Sequence, residues 1–368
     1  MLFIFPGHLN SMAYELKSGE LWITAFLLDG MALWRVLSLK RMTKKIDLIS
    51  PAGDLPSLKA AVDAGADAVY IGFRSPTNLR NFPGLNFSLK EAKKGIEYAH
   101  KRGKEVYVTI NIYPQVDGVD LCFKEVDSAY SLGSDSVILT DLAVLEYTHR
   151  KYPDFEIHLS VQAGNSNAET IQFYKREFGI GCVILSRILT FEEIEEIEKK
   201  TSVDLEVFVF GSLCANYEGR CQLSSYITGV SNNTVGACSP LEFVQFVHDD
   251  NGKLSFKLNE IILNEYSQGE FCTYPTPCKG RYLNTETDML TYSFQSPASL
   301  NLLGEIPELA AAGVDAFKIE GRQRSKIYVE NVTRVFRSAL DEFYKSPELY
   351  VARKEWLEEL CELSEGIR

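Results

Sequence analysis

A group of cysteines after residue 210 is the first feature of this sequence that could do chemistry. Cys214, Cys221, Cys238 and Cys278 are separated by 6, 16 and 39 residues. None of these gaps matches the two-residue spacing of a zinc ribbon or the close run of a bacterial ferredoxin. Four thiolates that converge from one loop would still suit zinc or an iron–sulfur cluster, because both accept tetrahedral sulfur ligands. Unligated structural cysteines are a third alternative, and Cys272 could replace Cys278 as the fourth ligand.

The other cysteines, Cys122, Cys182 and Cys361, lie in buried-strand or helical patterns. A free thiol in such a pattern usually fills space as a small hydrophobic group, and we expect that role for all three. The sequence shows no secretory signal, so we expect a cytoplasmic protein. In that compartment clustered thiols hold metal more often than they form disulfides.

Polar residues that follow the predicted strands form a second candidate group. Glu320, Arg322 and Arg324 come between a strand pattern and the last long helix. A helix N-terminus and arginine forks both suit an anion, such as a dianionic carboxylate, whereas an ion pair with Glu320 would only brace the turn. His158, on a strand, is a candidate catalyst or a hydrogen-bonded core residue. Further candidates near the same strand ends are Arg74, Asn78, Arg80, Asn111, Asp141, Gln162 and Arg187.

These side chains need a scaffold, and the sequence predicts eight parallel strands. Short apolar runs alternate with helical patterns from residue 46 onward, as is typical of strands covered by helices. A weak repeat of helix, glycine and strand begins at Ala64, Leu132 and Ala312. Eight βα units predict an α/β protein with a (β/α)8 TIM-like barrel, and an open doubly wound sheet is the alternative. The predicted strands are Ile46–Ser50, Asp67–Phe73, Glu105–Ile112, Asp135–Thr140, Glu156–Val161, Cys182–Arg187, Leu205–Gly211 and Asp315–Gly321.

The cysteine group lies in a long interruption of this pattern. Strand starts are 21 to 38 residues apart as far as the seventh strand, but the eighth begins 110 residues after it. We therefore predict barrel units one to seven in residues 42–211, a cysteine-bearing insertion in 212–298, and the last unit with a C-terminal helix in 299–368. In a barrel the loop after strand seven opens at the C-terminal face, where catalytic residues gather.

Residues 1–41 differ in composition from the rest, with two of the three tryptophans and three of the five methionines. The longest charge-free run in their apolar part, residues 21–28, is far shorter than the roughly 20 residues of a membrane span. We interpret this segment as a non-core extension upstream of a natural start at Met42. A peripheral amphipathic anchor is the alternative, and no transmembrane segment is predicted.

Composition and charge exclude several classes of protein. Hydrophobic residues make up 45% and charged residues 24%, which excludes a disordered, fibrous or multi-pass membrane protein. The net charge of −12 disfavours nucleic acid as the main partner, because affinity for phosphates depends on cationic groups. The sequence has no H-E-x-x-H or G-x-S-x-G motif and no P-loop, which disfavours a protease or a nucleotide-binding enzyme.

The stretch from Glu206 to Ser224, which contains Cys214-Ala-Asn-Tyr-Glu-Gly-Arg-Cys221, resembles the signature of the U32 peptidase family. Matching motifs extend over almost the whole chain from residue 46, and they include Ser50-Pro-Ala-Gly, Gly84-Leu-Asn-Phe, Ser160-Val-Gln-Ala, Thr234-Val-Gly-Ala-Cys-Ser-Pro, Cys278-Lys-Gly-Arg-Tyr and Lys318-Ile-Glu-Gly-Arg-Gln-Arg-Ser. The resemblance is strongest to the UbiU-type members, which act in oxygen-independent ubiquinone biosynthesis. It implies a [4Fe–4S] cluster whose iron is bound by Cys214, Cys221, Cys238 and Cys278.

The resemblance also implies partners and a reaction. It predicts a heterodimer with a homologous UbiV-like subunit and anaerobic hydroxylation of a polyprenylated aromatic ring, with prephenate as oxygen donor. Because that substrate carries a long isoprenoid tail, we expect a lipid-binding accessory protein to present it. The alternatives are an RNA-base hydroxylation factor of the same family, a U32-type peptidase, and a scaffold that carries the cluster for a catalytic partner.

Overall fold

The computed structural model describes residues 44–214, 216–249, 252–270 and 276–364. The predicted N-terminal extension, Met42 and Cys272 lie outside the described residues. No helix within the described ranges is long and apolar enough to cross a membrane.

Eight parallel strands form the centre of the molecule. They are β1 (Asp47–Pro51), β2 (Ala68–Gly72), β3 (Glu105–Ile110), β4 (Ser136–Leu139), β5 (Glu156–Leu159), β6 (Cys182–Ile184), β7 (Asp204–Ser212) and β14 (Ala316–Ile319). Each of β1 to β6 pairs with the next strand in the chain, and β14 pairs with both β7 and β1. The sheet therefore closes on itself, which confirms the predicted (β/α)8 barrel and excludes an open doubly wound sheet.

Helices follow the barrel strands and cover the outside of the barrel. Their bounds, with two short helices of the insertion included, are α1 (Leu55–Asp63), α2 (Leu89–His100), α3 (Val119–Ser131), α4 (Leu142–Lys151), α5 (Ala168–Phe178), α6 (Phe191–Lys200), α7 (Leu223–Thr228), α8 (Asn232–Val235), α9 (Ile306–Ala311), α10 (Lys326–Lys345) and α11 (Lys354–Leu363). Ser88 and Thr190 begin α2 and α6 with capping boxes, in which Glu91 and Glu193 bond back to the cap backbone. These local signals fix where these two helices start.

The core has two layers. Leu, Ile, Val and Phe side chains between the barrel and its helices form the larger layer, which includes fully buried Phe336 and Phe343 of α10. A smaller cluster fills the barrel interior and contains Ile138, Ile184 and Tyr70. Burying each large apolar side chain stabilises the fold by about 1.5–3 kcal/mol. This packing makes the barrel a rigid support for the loops at its ends.

The cysteine-bearing insertion lies between β7 and β14, as the sequence predicts. It contains β8 (Val244–His248), β9 (Leu254–Leu258) and β10 (Ile261–Tyr266), which form an antiparallel sheet in the order β10-β9-β8. Strands β11 (Tyr282–Asn284) and β12 (Met289–Thr291) form a separate two-stranded hairpin. After them, β13 (Ser299–Asn301) returns antiparallel to the end of β7, where Ser299 lies opposite Ser212.

Candidate metal centre and anion pocket at the barrel mouth

Residues beyond the C-terminal ends of β7 and β14 form the candidate site. Cys214 follows β7 by two residues, and Glu320 follows β14 directly. Gly211 has a φ of +134°, and a Cβ at this position would meet the Cβ of Glu320 at 2.6 Å. A glycine here lets the two strand ends approach closely, so the insertion and the Glu320 turn share one end of the barrel.

Four thiols line one cavity of about 110 Å³ at this mouth. They belong to Cys214, Cys221, Cys238 and Cys278, the four cysteines that the sequence singles out. The cavity is several times larger than the roughly 10–15 Å³ that one water-sized group requires. The structure thus brings together residues that are up to 64 positions apart in the sequence.

The four thiols are not gathered as closely as the ligands of one bound ion. No three of their sulfur atoms all lie within 4.8 Å of one another, whereas a zinc ion with Zn–S bonds of about 2.3 Å would hold its sulfurs about 3.8 Å apart. Burial raises the pKa of the Cys214 thiol to about 12, and the Glu218 carboxylate adds to this rise. A bound metal group would therefore displace a proton from that thiol.

Close backbone packing fixes the loop that carries the first two thiols. Gly219 has a φ of +79°, and a Cβ there would lie 1.9 Å from the carbonyl oxygen of Gln162. The same carbonyl accepts a hydrogen bond of 2.8 Å from the hydroxyl of Tyr113. On the other side of the cavity, Lys279 is buried next to Cys278 and donates a 2.9 Å hydrogen bond to the hydroxyl of Ser212. Contacts on both sides of the cavity therefore position the loops of Cys214, Cys221 and Cys278.

Arg187 links two carboxylates near the thiols, the buried Glu218 and the partly buried Glu320. It forms ion pairs with Glu218 and, at 2.8 Å, with Glu320. Burial raises the pKa of Glu218 and prevails over the opposing effect of Arg187. Burial would also raise the pKa of Glu320, but Arg187 and Arg80 together lower it below its ordinary value. The two carboxylates therefore differ in proton affinity although they share one guanidinium.

Arg322 is the buried cation of a second cavity. It is 5% exposed and donates hydrogen bonds to Asn78 Oδ1 at 3.1 Å, Thr109 Oγ1 at 2.7 Å and the carbonyl of Leu79 at 2.7 Å. Among the described residues no carboxylate lies within ion-pair distance of it, and burial lowers its pKa to about 10. Glu320 instead pairs with Arg80 and Arg187. The bracing ion pair considered for the Glu320 turn therefore does not involve Arg322.

The cavity that Arg322 lines has a volume of about 140 Å³ and adjoins the thiols. Gln162, Arg187, Lys279 and Glu320 line both cavities. Arg324 lines the 140 Å³ cavity and also a wider groove of about 680 Å³ that reaches Cys238. Volumes of roughly 300–1,000 Å³ are typical of small-molecule sites. The groove could therefore admit a ring-sized group to the region between the thiols and the arginines.

His158 lies inside the barrel and not at the mouth. It is 5% exposed, and its ring packs against Tyr107 with ring centroids 4.6 Å apart. Burial alone would lower its pKa, but Cys182, Glu156 and Glu206 together raise it well above the ordinary value. Cys182 therefore has polar neighbours, in contrast to the space-filling role expected from its strand pattern.

The remaining sequence candidates divide into two groups. Asn111 and Gln162 line the arginine cavity, and Asn78 bonds to Arg322. Asp141 caps α4 by accepting bonds from the backbone nitrogens of residues 143 and 144. Arg74 pairs with Glu91 at 3.1 Å and lines none of the three cavities at the mouth.

Sequence reasoning missed two mouth residues, Glu218 and Lys279. Both are charged and both lie within four residues of a candidate thiol. Their charge next to a cysteine motif was the available signal. Their burial, which makes them unusual, is a property of the tertiary structure.

Residues 53–366 match the sequence profile of Peptidase family U32. This chain belongs to the U32 family. It is 34% identical over 322 residues to tRNA hydroxylation protein P1 of Bacillus subtilis, which covers 87% of this chain and 68% of that protein. It is 36% identical over 305 residues to an uncharacterized protease of Methanocaldococcus jannaschii, with coverage of 82% and 66%.

A third member of the U32 family matches over a similar part of the chain. The 23S rRNA 5-hydroxycytidine C2501 synthase of Escherichia coli is 29% identical over 303 residues, which cover 81% of this chain and 39% of that protein. The chain thus spans about two thirds of the first two relatives and well under half of the third. These relatives support the predicted family without distinguishing its UbiU-type branch.

Proposed function

We propose that this chain is an iron–sulfur protein that takes part in the hydroxylation of a base in RNA, with transfer RNA as the first substrate to test. The observation that carries the proposal is the joint cavity at the barrel mouth, where four thiols adjoin a buried arginine that has no carboxylate partner among the described residues. Relatives named for RNA hydroxylation support the choice of substrate. This choice reverses the preference drawn from net charge alone.

In this proposal Cys214, Cys221, Cys238 and Cys278 hold a [4Fe–4S] cluster. When bound, the cluster would supply electron transfer, because four protein thiolates saturate its irons. The cavity of about 110 Å³ among the thiols supports a group larger than a single ion. Arg187 would stabilise the anionic thiolates, since its charge already opposes the rise in the pKa of Cys214.

Arg322 and Arg324 would bind an anionic co-substrate in the adjoining cavity. A dianionic carboxylate such as prephenate, the proposed oxygen donor, would suit two guanidinium groups. Lys279 lines the same cavity, and its ammonium group adds a third positive charge. The groove between Cys238 and Arg324 would then orient the ring to be hydroxylated and exclude water from it.

A second candidate function is hydroxylation of a ubiquinone precursor ring together with a UbiV-like subunit. The net charge of −12 favours this candidate, because an acidic chain repels the phosphates of RNA. A lipid-binding accessory protein would present the polyprenylated ring. Both candidates use the same thiols and the same anion pocket and differ only in the ring that enters the groove.

A peptidase activity has less support. The His158–Cys182 pair is a candidate dyad for nucleophilic attack, but both residues are at most 5% exposed inside the barrel. A polypeptide substrate could not reach them there. The thiols at the mouth would be metal ligands and thus poor free nucleophiles.

The deciding experiment deletes the gene in its host and measures two products. Mass spectrometry of nucleosides from tRNA and rRNA and of extracted quinones shows which hydroxylated product disappears. Complementation with the wild-type chain and with Cys361→Ala should restore the product, and Cys214→Ala should not. Loss of quinone alone would establish the second candidate. If neither product changes, both hydroxylation proposals are wrong.

Anaerobic purification of the full chain tests the cluster independently. We expect iron and acid-labile sulfide in equal amounts, lost together in Cys214→Ala and retained in Cys361→Ala. Zinc without sulfide at these cysteines would make the insertion a structural zinc site.

A further inference from the structure

Three potential metal ligands meet inside the barrel, away from the mouth. His158, Cys182 and Glu206 each offer one donor atom, and all three atoms lie within 4.8 Å of one another. Glu206 Oε2 is 3.7 Å from His158 Nδ1 and 4.0 Å from Cys182 Sγ. Tetrahedral zinc with bonds of about 2.0–2.3 Å would hold such donors about 3.3–3.8 Å apart. Only a small adjustment would bring these atoms to that spacing.

The three residues come from adjacent strands and lie towards the N-terminal end of the barrel. Cys182 is the first residue of β6, and His158 and Glu206 are the third residues of β5 and β7. The four thiols follow the opposite, C-terminal ends of the strands. The interior group is therefore separate from the candidate cluster site.

The imidazole of His158 is oriented for a ligand on one side. Its Nε2 atom lies 3.3 Å from Glu156 Oε1, so a proton on Nε2 would be held by that carboxylate. Its buried Nδ1 atom has no hydrogen-bond partner in the described part of the chain. A carboxylate behind a ligating histidine fixes the tautomer that presents the other nitrogen to a metal.

The carboxylate of Glu206 is oriented in the same way. Lys318 pairs with Oε1, and Oε2 faces His158 and Cys182. With a divalent ion bound to a thiolate, the carboxylate and a neutral imidazole, the group, including the ammonium of Lys318, would have a formal charge of +1, so the two anionic ligands would balance the charge of the metal.

We propose that His158, Cys182 and Glu206 form a second metal site that binds a zinc-class divalent ion and stabilises the barrel. Mixed nitrogen, sulfur and oxygen donors suit zinc, and a water molecule would complete the tetrahedron. The half-exposed Glu156 marks the approach from the N-terminal face. Residues at that face of a barrel usually serve stability and not catalysis.

The test measures zinc in the full chain after incubation with zinc chloride and removal of the excess. Because zinc could also enter an empty four-thiol site, iron is measured in the same sample and a Cys214→Ala, Cys278→Ala background is assayed in parallel. We expect one zinc ion per chain in both backgrounds. It should be lost in Cys182→Ala and His158→Gln and retained in Cys122→Ala, which removes an equally buried thiol from α3.

A substitution next to the ligands keeps the proposal testable if the buried variants do not fold. Glu156→Gln should weaken zinc binding by about tenfold or more, because it removes the carboxylate behind His158. Glu105→Gln is its control at the same end of the barrel, where Glu105 bonds to Tyr107 and not to the imidazole. At the same zinc concentration, zinc should also raise the melting temperature of the wild-type chain more than that of Glu156→Gln. Zinc binding that is absent from the wild-type chain, or equal in Glu156→Gln and Glu105→Gln, would overturn the proposal.

Discussion

Two buried guanidinium groups at the mouth differ in the charges that surround them. Arg187 contacts two carboxylates, whereas Arg322 contacts an amide oxygen, a hydroxyl and a backbone carbonyl. Arg322 donates three hydrogen bonds to neutral acceptors, and within the described part of the chain no ion pair compensates its charge. A buried cation without an ion-pair partner favours the binding of an anion, and for this reason we propose that the cavity at Arg322 is the anion pocket.

Arg322→Lys should weaken the binding of prephenate by about 10- to 100-fold. The lysine keeps the charge but loses the planar fork, and one charge-assisted hydrogen bond contributes about 1.5–3 kcal/mol. Calorimetric titration of the anaerobic protein measures this loss. Arg74→Lys, which alters a half-exposed arginine outside the pocket, should bind as the wild-type chain does. Equal affinities of the two variants would remove Arg322 from the anion site.

The ionisation of Glu320 makes the free energy of unfolding depend on pH in the acidic range. Burial raises its pKa, but the ion pairs with Arg187 and Arg80 lower it below the unfolded value of about 4.3. The pairing therefore stabilises the fold above that pH, and the contribution is lost as the pH falls through the folded pKa. Urea unfolding across the acidic range should show a steeper loss of stability for the wild-type chain than for Glu320→Gln. The exposed Glu348→Gln variant should follow the wild type, and a Glu320→Gln curve parallel to the wild type would contradict this account.

Loops and helix ends determine which side chains lie in the site at the barrel mouth. The Cys214–Cys221 loop packs its backbone on the turn after β5, where Gly219 faces the carbonyl of Gln162. Asp141, at the same end of the barrel, serves the start of α4 instead. Position at a strand end therefore does not by itself give a residue a role in the site.

Gly219→Ala should abolish the iron content, and Gly229→Ala should not. Both glycines have a φ near +78°, at +79° and +76°, so alanine has the same backbone cost of about 1–2 kcal/mol at each. Only at Gly219 would the added Cβ also collide with a backbone atom, whereas nothing lies within 4 Å at Gly229. Iron and sulfide analysis of both variants measures the difference. Equal iron in the two proteins would show that this contact does not hold the thiol loop.

Asp141→Ala should destabilise the protein by about 0.5–2 kcal/mol and leave the metal content unchanged, because the aspartate caps α4. Its carboxylate accepts bonds of 3.0 and 3.3 Å from two backbone nitrogens. Asp141→Asn keeps an acceptor and should lose much less stability. Urea unfolding gives the free energies, and a loss of RNA or ring hydroxylation with unchanged stability would instead assign Asp141 to the site.

The acidity of the whole molecule limits how it can bind RNA. With a net charge of −12, the chain would attract phosphates only through local groups at the mouth such as Arg324 and Lys279. Each phosphate of single-stranded RNA that the protein contacts adds about −0.7 to the slope of log K against log salt. We expect tRNA affinity, measured by fluorescence anisotropy at several potassium chloride concentrations, to have a slope no steeper than about −2. A much steeper slope would require a basic surface elsewhere and would contradict a mouth-centred contact.

The sequence by itself determined the barrel and the thiols at its mouth. All eight predicted strands occur in the structure. A parallel strand that is buried on both faces needs a run of apolar residues, and runs of Val, Ile and Leu bounded by Gly can be read directly from the sequence. Several strands were predicted to extend too far at their carboxyl ends. Residues such as Arg187 and Gly321 follow the last ladder pairs and belong to the mouth loops instead.

Only the tertiary structure decided which side chains meet. The ion pair of Arg187 with Glu320 and the hydrogen bond of Arg322 to Asn78 join residues of different loops. The grouping of His158 with Cys182 and Glu206 joins residues of three strands. Sequence spacing carries no direct record of such contacts, since strand register and barrel closure set them. The same holds for burial, which changes the proton affinity of a charged group only after the chain has folded around it.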